Sequence, residues 1–283
     1  MKSLIALGTR PGDRIAVWAP NSHRWVVAAL ATTSAGAVLV PVNTRYKGAE
    51  ARLLLQRSGA RLLFVENGFL GKDYLSMLTT GDDGAAESRP AALEQVVTLD
   101  ATTPSGSLPW EEFLRRGAHL PDAETAARTA AVHPDDPSDL LFTSGTTGRP
   151  KGAMATHRQN LATYWAWSGR TGVTGGDRYL VINPMFHCFG YKAGILACLL
   201  RGATMVLQPV FDVDRALRTV EAERITVLPG PPTIYTELLD APGRGLFDLS
   251  SLRLAVTGAA VVPVTLVRGC APSSSPRCSP PTD

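Results

Sequence analysis

The chain has 283 residues, of which 45% are hydrophobic and 19% charged. This globular composition excludes a wholly disordered protein. The formal net charge is +3, too small to indicate nucleic acid or an acidic membrane as the main partner. The four cysteines do not make a disulfide framework in a chain of this length.

The longest uncharged stretch, residues 25–44, contains polar residues and turn formers, so it does not predict a membrane span. The apolar run at the N-terminus is too short for a signal peptide. The sequence therefore predicts a cytoplasmic protein without a membrane span.

The first part of the chain alternates short apolar runs with helical patterns. Residues 14–19, 38–42 and 61–65 are typical of buried strands, whereas 23–34 and 49–57 have helical spacing. A β-α-β-α-β order predicts a parallel sheet covered by helices.

The signals between residues 66 and 131 are weaker, with a strand predicted at 94–99 and a helix at 110–116. Alternation resumes near residue 140. Further strands are predicted at 140–143, 152–155, 179–182, 204–207, 226–228 and 253–257, and further helices at 158–168, 191–200, 213–223 and 233–239. The predicted fold class is α/β, with parallel sheets and helices on both faces.

One loop has the composition of a phosphate site. Residues 141–154 read LFTSGTTGRPKGAM, with a strand predicted on either side of the glycines. Glycines allow sharp turns and close approach to a ligand, and loop N–H groups and hydroxyls can donate to phosphate oxygens. The loop differs from a Walker A motif because Arg149 and Pro150 separate Gly148 from Lys151. This spacing disfavours a P-loop phosphotransferase.

The string TSGTTGRPKG resembles the phosphate-loop signature of the adenylate-forming acyl-CoA synthetases, a family that includes luciferases and peptide-synthetase adenylation domains. Three later segments are also similar to this family, and the resemblance covers about residues 11–268. These segments are 183–190 (NPMFHCFG), 227–235 (VLPGPPTIY) and 252–260 (LRLAVTGAA).

The resemblance implies part of the large N-terminal domain of the adenylate-forming fold and a two-step reaction. A carboxylate attacks the α-phosphate of ATP to give an acyl-adenylate, and CoA then displaces AMP to give a thioester. Mg²⁺ is an implied cofactor, assigned to Thr146. The residues implied to cradle the β- and γ-phosphates are Thr143, Ser144, Gly145, Thr146, Thr147, Gly148 and Lys151.

The resemblance also implies an acyl site. His187 lines it near the reacting carboxylate and is, with Lys151, a candidate catalytic residue, whereas Gly258, Ala259 and Ala260 border the adenine and the acyl group. A hydrogen-bonded core residue is the alternative interpretation of His187. Cys188 and Cys198, in apolar surroundings, are both expected to be buried.

Residues 186–194 resemble actinobacterial ligases that activate the propionate side chain of steroid ring-degradation intermediates. Two alternatives stay open: adenylation for an acceptor other than CoA, and a non-catalytic ATP-binding fragment. The sequence does not specify the acid or the oligomeric state.

The sequence also departs from the family pattern. It lacks a Tyr-Gly-x-Thr-Glu segment, a Thr-Gly-Asp segment and the small C-terminal lid domain. We therefore expect a truncated member, with residues 1–268 forming a large domain that is incomplete at both ends and 269–283 forming a disordered tail. A reading-frame shift after Arg268 is one explanation, and a natural tail on a short protein is the other. The chain alone is expected to be inactive.

Overall fold

The computed structural model describes residues 1–81, 84–100, 106–143, 150–258, 260–262, 266 and 277–279. The chain divides into two compact units, Met1–Asn160 and Leu161–Asp283, where the sequence predicts one large domain over residues 1–268. No helix among these residues combines the length and the apolar character that crossing a membrane requires.

The first unit contains a seven-stranded sheet with the strand order β5-β4-β3-β1-β2-β6-β7. Its strands are β1 (Arg14–Trp18), β2 (Val38–Pro41), β3 (Ala60–Val65), β4 (Gln95–Thr98), β5 (Leu108–Pro109), β6 (Pro137–Thr143) and β7 (Lys151–Thr156). All neighbours pair in parallel except β6 and β7. The predicted parallel sheet is thus confirmed. The last pair is antiparallel because so short a connection reverses the chain, whereas a parallel pair needs a long crossover.

Helices of the first unit are α1 (Lys2–Ala6), α2 (His23–Ser34), α3 (Gly48–Ser58), α4 (Tyr74–Met77), α5 (Trp110–Arg116) and α6 (Asp122–Ala130). The predicted bounds of α2 and α5 are confirmed. The side chain of Ser22 caps α2 by accepting a hydrogen bond from the N–H of Trp25 at 3.2 Å. Helices α1, α4 and α6 were not predicted, since the first two are short and α6 buries none of its residues.

The core of the first unit lies against its parallel strands. The rings of Trp18 and Tyr74 stack with their centroids 4.1 Å apart, and the Tyr74 hydroxyl donates to the carbonyl oxygen of Thr44 at 2.9 Å. Burial raises the pKa of Tyr74 to about 12. The strands beneath are almost continuously apolar because both of their faces are covered.

The second unit contains a five-stranded sheet with the order β12-β11-β10-β8-β9, and every pair is parallel. Its strands are β8 (Arg178–Val181), β9 (Thr204–Leu207), β10 (Val227–Gly230), β11 (Leu254–Thr257) and β12 (Arg277–Ser279). The helical elements are α7 (His157–Thr171), in which the division between the units falls, α8 (Cys188–Gly190), a π-helical segment (Tyr191–Leu196), α9 (Ala197–Arg201), α10 (Val213–Ala222) and α11 (Pro232–Asp240).

Strand β12 belongs to the tail for which the sequence predicts disorder. Its residues pair in parallel with β11, with Ala255 opposite Cys278. Edge pairing uses backbone groups and needs no large apolar side chain, so the composition of the tail did not indicate it. The other tail residues, 269–276 and 280–283, lie outside the described residues.

Polar side chains tie the amino ends of β8, β10 and β11 together. Asp177 directly precedes β8 and its side chain is 2% exposed. Its carboxylate accepts hydrogen bonds from Thr226 Oγ1 at 2.6 Å and from Arg253 Nε at 2.8 Å. The opposite, carboxyl edge of this sheet carries the candidate site residues of the second unit.

Candidate active site

The predicted phosphate loop is held between β6 and β7. Thr143, the last residue of β6, lies opposite Lys151, the first residue of β7. The hydroxyl of Thr143 donates to the Lys151 carbonyl oxygen at 3.4 Å. Both residues are exposed.

The middle of the loop lies outside the described residues. This applies to Ser144, Gly145, Thr146, Thr147 and Gly148, whose assigned roles therefore remain predictions. The assignment of Thr146 to Mg²⁺ is among them.

Arg57 holds the exit of the loop. Its Nη1 donates to the carbonyl oxygen of Pro150 at 2.8 Å, across 93 positions of sequence. Arg57 is the last but one residue of α3. Arginines are common in the last turn of a surface helix. Nothing in its local sequence indicated the contact.

In the second unit, three predicted segments follow parallel strands. Residues 183–187 follow β8, Pro231 follows β10 and Gly258 follows β11. The carboxyl ends of parallel strands meet at the same edge, where ligands bind in open α/β sheets. Asn183, 5% exposed, fastens this edge because its Nδ2 donates to the Pro229 carbonyl oxygen at 3.0 Å. Ala260 is exposed, and Ala259 lies outside the described residues.

His187 is exposed and directly precedes α8, which disagrees with its alternative interpretation as a core residue. Its Nδ1 accepts a hydrogen bond from the N–H of Phe189 at 3.2 Å. Its carbonyl oxygen accepts one from the N–H of Tyr191 at 2.9 Å. The imidazole is thereby fixed to the start of the helical run.

Gly190 allows the chain around His187 to close. A Cβ atom at this position would lie 2.2 Å from the carbonyl oxygen of Pro184 and 2.4 Å from that of Asn183. Backbone oxygens cannot move aside as a flexible side chain can. The turn that presents His187 therefore requires glycine here.

The prediction that Cys188 is buried was wrong, whereas the prediction for Cys198 is confirmed. Cys188 is exposed because it begins the helix at the sheet edge, and its Sγ lies 3.6 Å from His187 Nδ1. This contact raises the pKa of His187 and lowers the pKa of the Cys188 thiol. Burial, by contrast, raises the pKa of Cys198 to about 12.

The described residues do not fit a protein-held metal ion. No group of three or more histidine, cysteine, aspartate or glutamate side chains among them could hold one. Mg²⁺ in nucleotide sites takes one or two carboxylates together with substrate phosphates, so this finding concerns only a site built from three or more protein side chains.

Residues 2–273 match the AMP-binding enzyme family. The chain belongs to this family. It is 55% identical over 265 residues to a methyl-dioxo-octahydroindenyl propanoyl:CoA ligase of Mycobacterium tuberculosis, covering 94% of this chain and 50% of the relative. It is 49% identical to the ligase of the same name from Rhodococcus jostii, covering 94% of this chain and 51% of that protein. The chain therefore spans about half the length of the curated relatives it matches.

Solved structures agree with this membership. The anthranilate CoA ligase AuaEII, crystallised with anthranoyl-AMP, superposes with a TM-score of 0.82 at 27% identity, covering 95% of this chain and 49% of that one. The fold of this member of the AMP-binding enzyme family is thus that of adenylate-forming proteins. The predicted family and the predicted fold class are both confirmed.

Proposed function

We propose that this chain is by lineage an acyl-CoA ligase: proteins of this lineage activate a carboxylic acid with ATP to an acyl-adenylate, which CoA then converts to a thioester. The chain alone is expected to be inactive. The observation that carries the proposal is the TSGTTGRPKG loop, held between paired strands, in a chain 55% identical to a propanoyl:CoA ligase. The proposal assigns phosphate binding to the first unit and acyl recognition to the second.

Lys151 and Thr143 are the described residues of the phosphate loop. The Lys151 ammonium supplies positive charge where pyrophosphate leaves, and a pre-placed charge stabilises charge that develops in the transition state. The Thr143 hydroxyl donates weakly to the backbone at 3.4 Å, so a modest rotation frees it for a phosphate oxygen. Neither role depends on a bound metal.

The proposed acid is a propanoate carried by a fused-ring diketone, as the names of the two actinobacterial ligases indicate. His187 is the described side chain proposed to meet its carboxylate. The imidazole is exposed at the carboxyl edge of the sheet and fixed by the N–H of Phe189. A fixed donor orients the carboxylate for attack at lower entropic cost.

ATP affinity measured by calorimetry is the first test. Lys151→Ala is expected to weaken binding about tenfold to a hundredfold, because a charge-assisted hydrogen bond contributes about 1.5–3 kcal/mol. Lys47→Ala, at another exposed lysine of the first unit, is the matched control and should bind as the wild type does. Wild-type protein that binds no ATP would overturn the proposal.

AMP release with the diketone propanoate, with and without CoA, tests the chemistry. Release that needs the acid and disappears in Lys151→Ala supports adenylation, and formation of a CoA thioester identifies the acceptor. The chain spans about half the length of these relatives. This favours examining a second candidate function, which is ATP binding without turnover. Binding without AMP release would support that candidate instead.

A further inference from the structure

The exposed thiol next to His187 has no part in the proposed reaction. We propose that Cys188 is a covalent modification site that reacts with small-molecule disulfides, and that the adduct masks His187. The masking rests on the proposed function, whereas the reactivity of the thiol does not.

A reactive cysteine needs access and a base within reach. Cys188 has both, since its side chain is exposed and its Sγ lies 3.6 Å from Nδ1 of His187. The Phe189 N–H fixes the same nitrogen. Nδ1 has one lone pair, so it takes the thiol proton only when the Phe189 N–H shifts from the ring to the sulfur. A hydrogen bond from that N–H to the sulfur also lowers the pKa of the Cys188 thiol.

A lysine adds positive charge near this thiol. Lys192 follows Cys188 by four positions and lies in the π-helical segment. The Lys192 charge lowers the pKa of the Cys188 thiol, in addition to the larger effect of His187. Lys192 is itself only 6% exposed, so water screens its charge weakly.

The proposed step is a thiol–disulfide exchange. The Cys188 thiol gives its proton to His187, and the thiolate attacks one sulfur of the disulfide. A new sulfur–sulfur bond forms to Cys188, the original one breaks, and the leaving thiolate takes up the proton. Cys188 is oxidised and the released half of the disulfide is reduced. Excess free thiol reverses the exchange.

Cys198 is the internal control. It is 0% exposed, and burial raises its pKa to about 12. Such a thiol carries about a thousandfold less thiolate at neutral pH than one of ordinary pKa. A protein in which Cys198 reacts together with Cys188 has unfolded.

The adduct changes the surroundings of His187 in two ways. The thiol proton that His187 can accept is lost, and a bulky group is attached beside the imidazole. An acid that must meet His187 is then obstructed. Modification of Cys188 thus regulates the same site to which the proposed function assigns acyl recognition.

The test uses oxidised glutathione on the full chain with Cys270→Ser and Cys278→Ser, so that two thiols remain. Peptide mapping by mass spectrometry follows the adduct on each at neutral pH. We expect Cys188 to react about tenfold or more faster than the same cysteine in a synthetic peptide of residues 183–194. Cys198 should stay unmodified. Equal rates in protein and peptide would overturn the proposal.

His187→Asn separates activation from exposure. Asparagine can still accept the Phe189 N–H as a helix cap but cannot take the thiol proton. Its Cys188 rate should fall to that of the peptide, while Lys192→Met should lie between this variant and the wild type. An unchanged rate in His187→Asn contradicts the proposed role of the imidazole. Protection of Cys198 verifies that each variant is folded.

Calorimetric titration with the diketone propanoate tests the masking. The adduct should lose binding, dithiothreitol should restore it, and Cys188→Ser should bind regardless of glutathione treatment. Unmodified protein that binds no acid contradicts the proposed function and leaves the modification site standing. Equal acid affinity with and without the adduct overturns the masking.

Discussion

The Asp177 carboxylate and the Arg253 guanidinium form a two-point contact across 76 positions of sequence, with Nε donating to Oδ1 at 2.8 Å and Nη2 to Oδ2. Asp177 is almost fully buried, whereas 44% of the Arg253 side chain is exposed. The pair joins the amino ends of β8 and β11. Removing the arginine leaves a buried carboxylate without its main ionic partner.

Arg253→Met is therefore expected to lower the free energy of unfolding by about 2–3 kcal/mol. This is below the ~3–5 kcal/mol typical of a broken buried pair, because water reaches the guanidinium and Thr226 still donates to Asp177. Urea denaturation measures the change. Arg224→Met, which removes the exposed partner of Asp248, is the control and should cost less than ~1 kcal/mol. Equal losses in the two variants would show that burial of Asp177 is irrelevant.

The same pair predicts an acid-sensitive contribution to stability. Burial alone raises the pKa of Asp177, but hydrogen bonds from Arg253, Thr226 and Thr174 outweigh it and lower the pKa below its ordinary value. A lowered pKa means stability that is present above the unfolded pKa of about 3.9 and is lost as pH falls through the folded pKa. Unfolding midpoints measured below pH ~4 should therefore fall more steeply in wild type than in Arg253→Met. Parallel pH profiles of the two proteins would contradict this assignment.

Gly190→Ala should disturb the turn that presents His187. The added Cβ would meet two backbone oxygens at 2.2 and 2.4 Å, and a forced backbone shift costs about 1–3 kcal/mol. Gly245→Ala, where nothing lies within 4 Å of the new Cβ, is the control. Thermal unfolding reports the loss of stability, and the Cys188 alkylation rate reports displacement of His187. A Gly190→Ala protein with wild-type stability and reactivity would show that the turn can relax.

Arg57→Ala should weaken ATP binding without large loss of stability. One exposed hydrogen bond to the Pro150 carbonyl oxygen is removed, and such a bond contributes about 0.5–1 kcal/mol, or roughly two- to fivefold in affinity. Gln56→Ala, at the neighbouring exposed position of α3, is the control. Calorimetry with ATP distinguishes them. An affinity that is unchanged in Arg57→Ala would mean that the loop exit needs no anchor.

Much of the fold could be predicted because the strands are short apolar runs, and the helices between them begin and end at recognisable capping and turn residues. The bounds of α2 and β9 agree with the prediction, since Ser22 caps the former and Gly202 ends the helix before the latter. Helix α6 could not be predicted because it buries no residue and so has little apolar signal. Strand β12 forms by pairing with β11, and the amino-acid composition of the tail does not reveal such pairing.

The sequence displays the motifs of the candidate site but not its long-range contacts. The glycine-rich loop and the His187 segment are contiguous strings, so the sequence displays them whole. The Arg57 anchor and the Asn183 bond to β10 join distant positions, and neither has a local signal. Cys188 was wrongly predicted to be buried because its sequence neighbours are apolar. Apolar neighbours occur both inside a helix and at a helix start on a sheet edge, so they do not distinguish the two.

The hydrogen bond from Phe189 to His187 also decides which ring nitrogen carries hydrogen. In the neutral imidazole, Nδ1 accepts the backbone N–H, so Nε2 is the protonated atom of this tautomer. When His187 takes the Cys188 proton, Nε2 keeps its hydrogen. The second ring nitrogen is thus a donor in both states, and His187 can offer a hydrogen bond to a carboxylate but cannot withdraw a proton through Nε2. An acid that meets His187 through Nε2 is therefore held as the ionised carboxylate, the form that attacks a phosphate.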